Sequence, residues 1–450
     1  MAMTEDVPIF LRGNGAPVRD ELTLTDLAVT GSIPPELDGR YLRNGANPIT
    51  GMADHPFLGD GMIHGIRLRD GRAEWYRNRY VKTPFFADPD KAIIDVAETM
   101  MDMKSSKANT NVVGHAGLIM ALEEGHFPYV LDGQLDTVGS TDFGGRLTGP
   151  FTAHPKICPA TGEMLGFGYS FMEPYFTYHR VAPDGTLVQS EEITVGGPTM
   201  MHDFNVTRNH VVIMDLPAVF DMDLAMRGEM PIHWNNDYAA RLGVMPRDGN
   251  NASVKWFDID PCYVFHPMNA YEDGDKIVLD VARLDHVWRD SAMDFPPPSL
   301  YRWTIDTAKG SVHEEQVDDL AAEFPRVADS VVGLKHRYGY MMAGATEAAF
   351  ADPSSTSGAI AKYDRETGER KILNLGRGRM PGEPVFVAAA NSKAEDDGYL
   401  MTYVYDESTN TSDFVVLDAA TMSDDPIAVV HLPRVPFGFH GNWIPSSVAN

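Results

Sequence analysis

Cysteine is nearly absent from this chain: two occur in 450 residues, Cys158 and Cys262. They lie far apart and in no CxxC pattern, which excludes a disulfide framework and leaves room for one bridge at most. Basic charge is scarce as well. Lys and Arg number 37 against 64 Asp and Glu, a net charge of −27, which argues against nucleic acid or an anionic membrane surface as the main partner. No run of about 18 apolar residues exists, so no transmembrane helix is expected. The N-terminus, Met1-Ala-Met-Thr-Glu-Asp6, offers neither the basic n-region nor the apolar h-region of a secretory signal. The default expectation is a soluble cytoplasmic protein. Long helical periodicity is missing too; Asp90–Met103 and Asp221–Gly228 are the best helical candidates, and both are short.

What the chain has in quantity is hairpin grammar. Gly65–Tyr76 reads as strand, Asp70-Gly71 turn, strand. The pattern returns at Thr177–Ile193 around Asp184-Gly185, at Asn269–Arg283 around Gly274, and at Tyr301–Val317 around Lys309-Gly310. It recurs at Ala361–Leu373 around Thr367-Gly368 and at Tyr399–Leu417 around Glu407–Asn410. Short Gly-containing turns between alternating β-formers are the strongest local hairpin signal. Many hairpins and few helices predict an all-β chain, and a β-propeller solves the edge-strand problem at this length. The expectation is one propeller domain over residues 1–450, with a short N-terminal arm of about thirty residues. No WD or kelch signature marks the blades.

Four of the 15 histidines sit in settings suited to a metal. These are His154 in Phe151-Thr-Ala-His-Pro, His202 in Met201-His-Asp-Phe204, His266 in Val264-Phe-His-Pro267 and His440 in Gly438-Phe-His-Gly441. Spread over the chain, they belong to no local helical motif such as HExxH. Four neutral imidazoles suit a first-row divalent ion: Fe(II), Cu(II), Zn(II) or Ni(II). A propeller is the architecture that could gather ligands so far apart, one per blade. Taken singly, each is more readily a hydrogen-bonded core or surface histidine. His64, in Asp60-Gly-Met-Ile-His64, is nearly as suggestive, whereas His115, His126, His336 and His431 read as structural or exposed.

The chain resembles the carotenoid cleavage oxygenases, a family that includes stilbene- and phenylpropene-cleaving enzymes. The resemblance runs from about Gly31 to Pro445. Its landmarks include Ile33-Pro-Pro-Glu-Leu-Asp-Gly-Arg-Tyr41-Leu-Arg-Asn44-Gly, Gly59-Asp-Gly-Met62-Ile-His, Ala121-Leu-Glu-Glu124-Gly, Gly382-Glu383-Pro-Val-Phe-Val387 and Phe439-His440-Gly-Asn-Trp443. It implies a seven-bladed β-propeller, with a few short helices capping the metal-site face. It further implies an Fe(II) cofactor, Fe(2+), held by His154, His202, His266 and His440. Glu124, Glu323 and Glu383 would accept the distal imidazole N–H groups and soften the charge of the ion. The implied reaction is cleavage of a C=C double bond by O2 to two carbonyl products, with no organic cofactor. The GxG at Gly376–Gly378 lacks the strand and helix of a nucleotide-binding turn.

The partner is then a small apolar alkene. Tyr80, Phe171, Met201, Phe265, Phe386 and Phe439 are the candidates for its contacts, with blade packing an equal reading of each. In the stilbene cleavers of this family a Tyr and a Lys engage the phenol; here Tyr80 fills the first place, but Glu123 fills the second. An acid cannot donate to a phenolate as an ammonium does. An apocarotenoid or similar linear polyene is therefore favoured over stilbenes, phenylpropenes or vinylphenols. Pro217–Met226 offers a modest apolar surface for a weak membrane-surface contact, though an amphipathic helix on the core is the simpler reading. Other classes remain open: a propeller hydrolase or lactonase, a non-catalytic binding propeller, and alkene isomerisation on the same site.

Overall fold

The computed structural model describes residues 7–53, 55–88, 101–227, 229–344 and 357–449. The expected helix Asp90–Met103 lies outside these residues, apart from its last three, which are not helical. The chain divides into two compact units, Asp142–His336 and the flanking segments Met1–Thr141 with Arg337–Asn450.

The flanking unit holds four antiparallel ladders. The first runs Thr23–Leu24, Arg72–Tyr80, Met62–Arg69, Gly39–Arg43 and, from the far end of the chain, Gly441–Pro445. The second is Asn111–His115, Leu118–Leu122, Tyr129–Leu131 and Thr137–Ser140. The third carries Tyr338–Ala343, Ser357–Asp364 and Arg370–Arg377 in sequence. The fourth builds on Gly398–Asp406, Thr411–Asp418 and Ala428–Leu432, with Val29–Gly31 added at its edge. Thr23–Leu24 and Val29–Gly31 thus make the expected N-terminal arm part of two sheets.

The unit Asp142–His336 holds three four-stranded ladders, beside a two-stranded pairing of Ala218–Phe220 with Ile232–Trp234. The ladders are Lys156–Ile157 to Leu187–Glu192, Asn205–Val206 to Lys255–Asp258, and Tyr263–Asp273 to Ser311–Gln316. Seven antiparallel ladders in chain order are the strand pattern of a seven-bladed β-propeller, the fold of this chain.

Local chemistry explains the strands. Inner strands are withdrawn from solvent along their whole length: every residue of Gly39–Arg43 is buried. Outer strands alternate, as Leu187–Glu192 does from buried Leu187 to exposed Val188, which is the period-two signature of a half-solvated edge. At the Asp70-Gly71 turn both residues take positive φ, 50° and 70°, matching the primed turn that Asp-Gly favours. All six expected hairpins are present.

The second expected helix is real but turns its apolar side outward. Met222–Met226 is capped by Asp221, whose carboxylate accepts from the N–H of Asp223 at 2.7 Å. Ala225 is its buried residue, while Met226 is 73% exposed; a five-residue helix is too short to carry a full apolar stripe. No helix among the described residues is long and apolar enough to cross a membrane.

Trp303 is fully buried in the ladder of Ser299–Asp306, and its indole N–H donates to Glu314 at 2.9 Å. Trp303→Ala should lower unfolding stability by about 3–5 kcal/mol through cavity formation, measurable by chemical denaturation with little change in the denaturant slope.

Candidate metal centre

His154, His202 and His266 come from three different segments of the unit Asp142–His336. His154 lies in the loop before Lys156–Ile157, where its backbone N–H donates to Thr152 Oγ1 at 2.9 Å. His202 precedes the strand Asn205–Val206. His266 stands where the ladder register slips between Val264 and Pro267. Pro267 has no N–H to give the ladder, and such an irregularity re-aims the side chain beside it.

The three rings converge. Nε2 of His154 lies 3.0 Å from Nε2 of His202, and that atom lies 3.2 Å from Nε2 of His266. One ring nitrogen from each is within 4.8 Å of the others. A metal about 2.1 Å from each imidazole nitrogen sets neighbouring nitrogens about 3.0 Å apart at a right angle. The spacing therefore fits a divalent ion held by these rings.

The outward nitrogens explain the orientation. His266 Nδ1 donates to Glu323 Oε2 at 2.6 Å, and the same oxygen accepts the N–H of Phe324 at 2.5 Å. With the proton fixed on Nδ1, the lone pair of Nε2 faces inward, as metal ligation requires. Glu323 is the last acid before an unusual residue: Phe324 takes φ 53° and stacks on the His266 ring at 5.1 Å. A non-glycine residue in that region is strained, and here the strain puts an aromatic face on a ligand.

Beside His154 stands Asp203. Its carboxylate is 3.8 Å from His154 Nδ1, beyond hydrogen-bond reach, and is held by Lys156 Nζ at 2.7 Å and by the N–H of Phe204 at 2.6 Å. Burial raises the Asp203 pKa, while Lys156 opposes that rise. Asp203 had a legible signal, since it directly follows His202. Phe324 had none.

In the other unit, His440 Nδ1 is 3.1 Å from Glu383 Oε1, whose second oxygen accepts the N–H of Gly441 at 2.8 Å. The His440 carbonyl accepts from Asn44 N–H at 2.9 Å. Both His440 and Glu383 are buried, and so is Glu124, just past the strand Leu118–Leu122. His64, by contrast, is occupied elsewhere, with Nδ1 on the Tyr76 hydroxyl at 2.8 Å.

The six alkene-contact candidates separate by surroundings. Phe265 stands edge-on to His202 at 5.2 Å and joins Tyr263, Trp288 and Phe295 in an aromatic wall. Met201 is buried, its sulfur accepting the N–H of Met214. Phe171 stacks on Phe220 at 5.0 Å, and Phe220 in turn lines a cleft of about 460 Å³ with Pro198, His233 and Tyr238. Phe439 packs edge-on to Phe57 at 5.7 Å, and Phe386 lies flat on Tyr340 at 5.8 Å. Tyr80 is buried, accepting from Asn47 at 2.6 Å and donating to the Val18 carbonyl at 3.1 Å; burial pushes its pKa up to about 12.

A family model described as "Retinal pigment epithelial membrane protein" matches residues 15–445. A curated carotenoid cleavage oxygenase of Mycobacterium tuberculosis is 40% identical, over 97% of this chain and 98% of its own length. Carotenoid 9,10(9',10')-cleavage dioxygenase 1 of Arabidopsis thaliana is 36% identical, over 97% of this chain and 89% of its own. Among solved structures, the lignostilbene dioxygenase of Pseudomonas brassicacearum superposes with a TM-score of 0.87 at 27% identity, covering 97% and 98% of the two chains. Cobalt-substituted Synechocystis ACO gives 0.86 at 27% identity and the same coverage.

Proposed function

This chain belongs to the carotenoid cleavage oxygenase family, and from that premise we propose that it cleaves a C=C double bond of an apocarotenoid or similar linear polyene with O2, giving two carbonyl products. It is a dioxygenase of the carotenoid oxygenase type. In this reading His154, His202, His266 and His440 hold an Fe(II) ion, and Glu124, Glu323 and Glu383 steady the rings from behind. The observation that carries it is the convergence of three Nε2 atoms at 3.0 and 3.2 Å, one of them locked by Glu323. Iron supplies the redox chemistry with O2 that no side chain possesses. The chain's own residues orient the alkene and exclude water: Phe265 and its aromatic neighbours wall the histidines with apolar surface. Met226, exposed on its short helix, gives a weak membrane-surface contact its apolar anchor.

Two observations favour a polyene over a phenol. Glu123, in the place of the phenol-binding lysine, is engaged by His126 Nδ1 at 2.7 Å, Ser106 Oγ at 3.1 Å and the N–H of Gly125 at 3.0 Å. The Tyr80 hydroxyl is likewise committed to Asn47 and Val18. The second reading is the same cleavage on stilbenes, phenylpropenes or vinylphenols, and it draws support from the likeness to the lignostilbene dioxygenase.

An aerobic assay of iron-loaded protein against apocarotenals, hydroxystilbenes and propenylphenols, with aldehydes read by mass spectrometry, separates them. Products from apocarotenals support the polyene, and their lengths name the bond. Vanillin-like aldehydes alone establish the second reading, and no aldehyde from any of these substrates would overturn both. Independently of turnover, Glu323→Ala should weaken iron affinity by about 10–100-fold in a chelator competition, because the carboxylate that holds the proton on His266 Nδ1 is removed.

A further inference from the structure

Away from the histidine centre, the flanking unit buries the guanidinium of Arg43 with no ion pair among the described residues. Arg43 ends the strand Gly39–Arg43 and is 3% exposed. Its register partner across the ladder is His64, so the two side chains share a face with Tyr41, two residues back. From the facing ladder Tyr403 presents its ring 5.6 Å from the guanidinium carbon, and Tyr41 meets Tyr403 edge-on at 5.2 Å. The Arg43 Nε and the Tyr403 hydroxyl are both buried and have no hydrogen-bond partner among the described residues.

The groups nearby add positive charge and donors. Arg434, half-buried, spends its N–H groups on the neutral carbonyls of Ala16 and Pro17. Among the described residues, the groups acting electrostatically on Arg43 are Tyr41, Tyr403 and Tyr76, with no carboxylate among them. Burial raises the Tyr76 and Tyr403 pKa values, so neither supplies a phenolate. Burial, and then the fields of Arg43 and Arg434, hold His64 well below its ordinary pKa, so it stays neutral. A guanidinium cannot give up its proton, and a buried ion without a counter-charge is costly. Water can cap the idle N–H but brings no charge.

We infer that the flanking unit holds a buried monovalent anion of chloride size between Arg43 and Tyr403, accepting from the Arg43 Nε–H and the Tyr403 O–H. The site lies under the segment that carries His440. A Cβ at Gly438 would fall 2.5 Å from both Cζ and Nε of Arg43, so the segment rests directly on the guanidinium. Asn44, the next residue, ties its backbone to Phe439 and His440 at 2.9 Å each. The anion therefore stiffens the support of that histidine.

The test uses the full-length protein and the halide itself. Thermal unfolding is followed in sodium chloride, sodium bromide and sodium gluconate at one ionic strength. Gluconate is the bulky comparison anion. The halides should raise the melting temperature by about 1.5 °C for each tenfold increase above their Kd, with gluconate giving no rise. Crystals grown in bromide should show an anomalous peak beside Arg43 Nε. Arg43→Met should abolish the halide dependence. Tyr403→Phe, which keeps the ring and the fold, should weaken it, so the test survives if the arginine variant fails to fold. Equal melting in chloride and gluconate, halide dependence that persists in Arg43→Met, or an ordered water without anomalous signal would each overturn the proposal.

Discussion

His266→Ala should abolish iron retention and alkene cleavage while leaving the strands folded. The wild-type ring is held at both nitrogens: Nδ1 on Glu323 at 2.6 Å, and Nε2 turned toward His202 at 3.2 Å. Removing it takes away one of the proposed ligands outright, so the loss of metal affinity should exceed the ~100-fold that a supporting carboxylate alone is worth. The fold survives because His266 sits at the register irregularity, where the ladder steps from Val264 opposite Arg283 to Pro267 opposite Val281. The structural cost is one hydrogen bond to a carboxylate, about 1–3 kcal/mol, because Glu323 Oε2 keeps the N–H of Phe324. Its 12% side-chain exposure lets water relieve part of that cost. Metal content after iron loading, circular dichroism and turnover read the three consequences separately. His64→Ala is the control, a histidine equally buried but bound to Tyr76, and it should keep its iron. Full iron content in His266→Ala would remove this residue from the ligand set.

Particular residues show what the sequence could and could not reveal. The hairpins were legible because Asp70-Gly71 and its counterparts carry both the turn chemistry and the alternation on either side. The histidine segments stood out by their aromatic and proline neighbours and a propeller offered a way to gather them, but the likeness to a family was needed to single them out from His64, since convergence is set by ladders distant in sequence. Glu323 reads in isolation as an exposed acid; it becomes a partner of His266 only because Phe324 adopts a left-handed backbone that no residue pattern announces. Arg43 belongs to the Arg40–Gly45 motif, yet its surroundings are visible only once the facing ladder brings Tyr403 against it. Polar residues whose partners lie far along the chain are where local reasoning ends.

Stopping the chain after Val435 should prevent folding, a larger effect than the loss of His440 alone. Gly441–Pro445 pairs with Gly39–Arg43 over five register positions, so this last strand closes a ladder begun some four hundred residues earlier. Its side chains are structural: Ile444 is 2% exposed in the core formed with Leu42, Val112 and Leu135, and Trp443 packs on the neighbouring core around Tyr41. Polar ties add to these, from Arg40 to the Ala449 carbonyl at 2.8 Å and from Asn442 to Asn111 and Val112 at 3.0 and 2.9 Å. Two large apolar side chains contribute about 1.5–3 kcal/mol each, and the hydrogen bonds about 1 kcal/mol each. Together these approach the whole stability of a folded domain, about 5–15 kcal/mol. The truncation also bares Gly39–Arg43, a buried inner strand, as an open edge that invites aggregation. Expression should therefore yield insoluble protein, or soluble protein without a cooperative unfolding transition. Ile444→Ala tests the packing term alone: it should cost about 2–5 kcal/mol and leave His440 in place, so the variant should still bind iron at low temperature. A truncated chain that unfolds cooperatively near the wild-type midpoint would show that the closing strand is dispensable and that the other pairings of Gly39–Arg43 suffice.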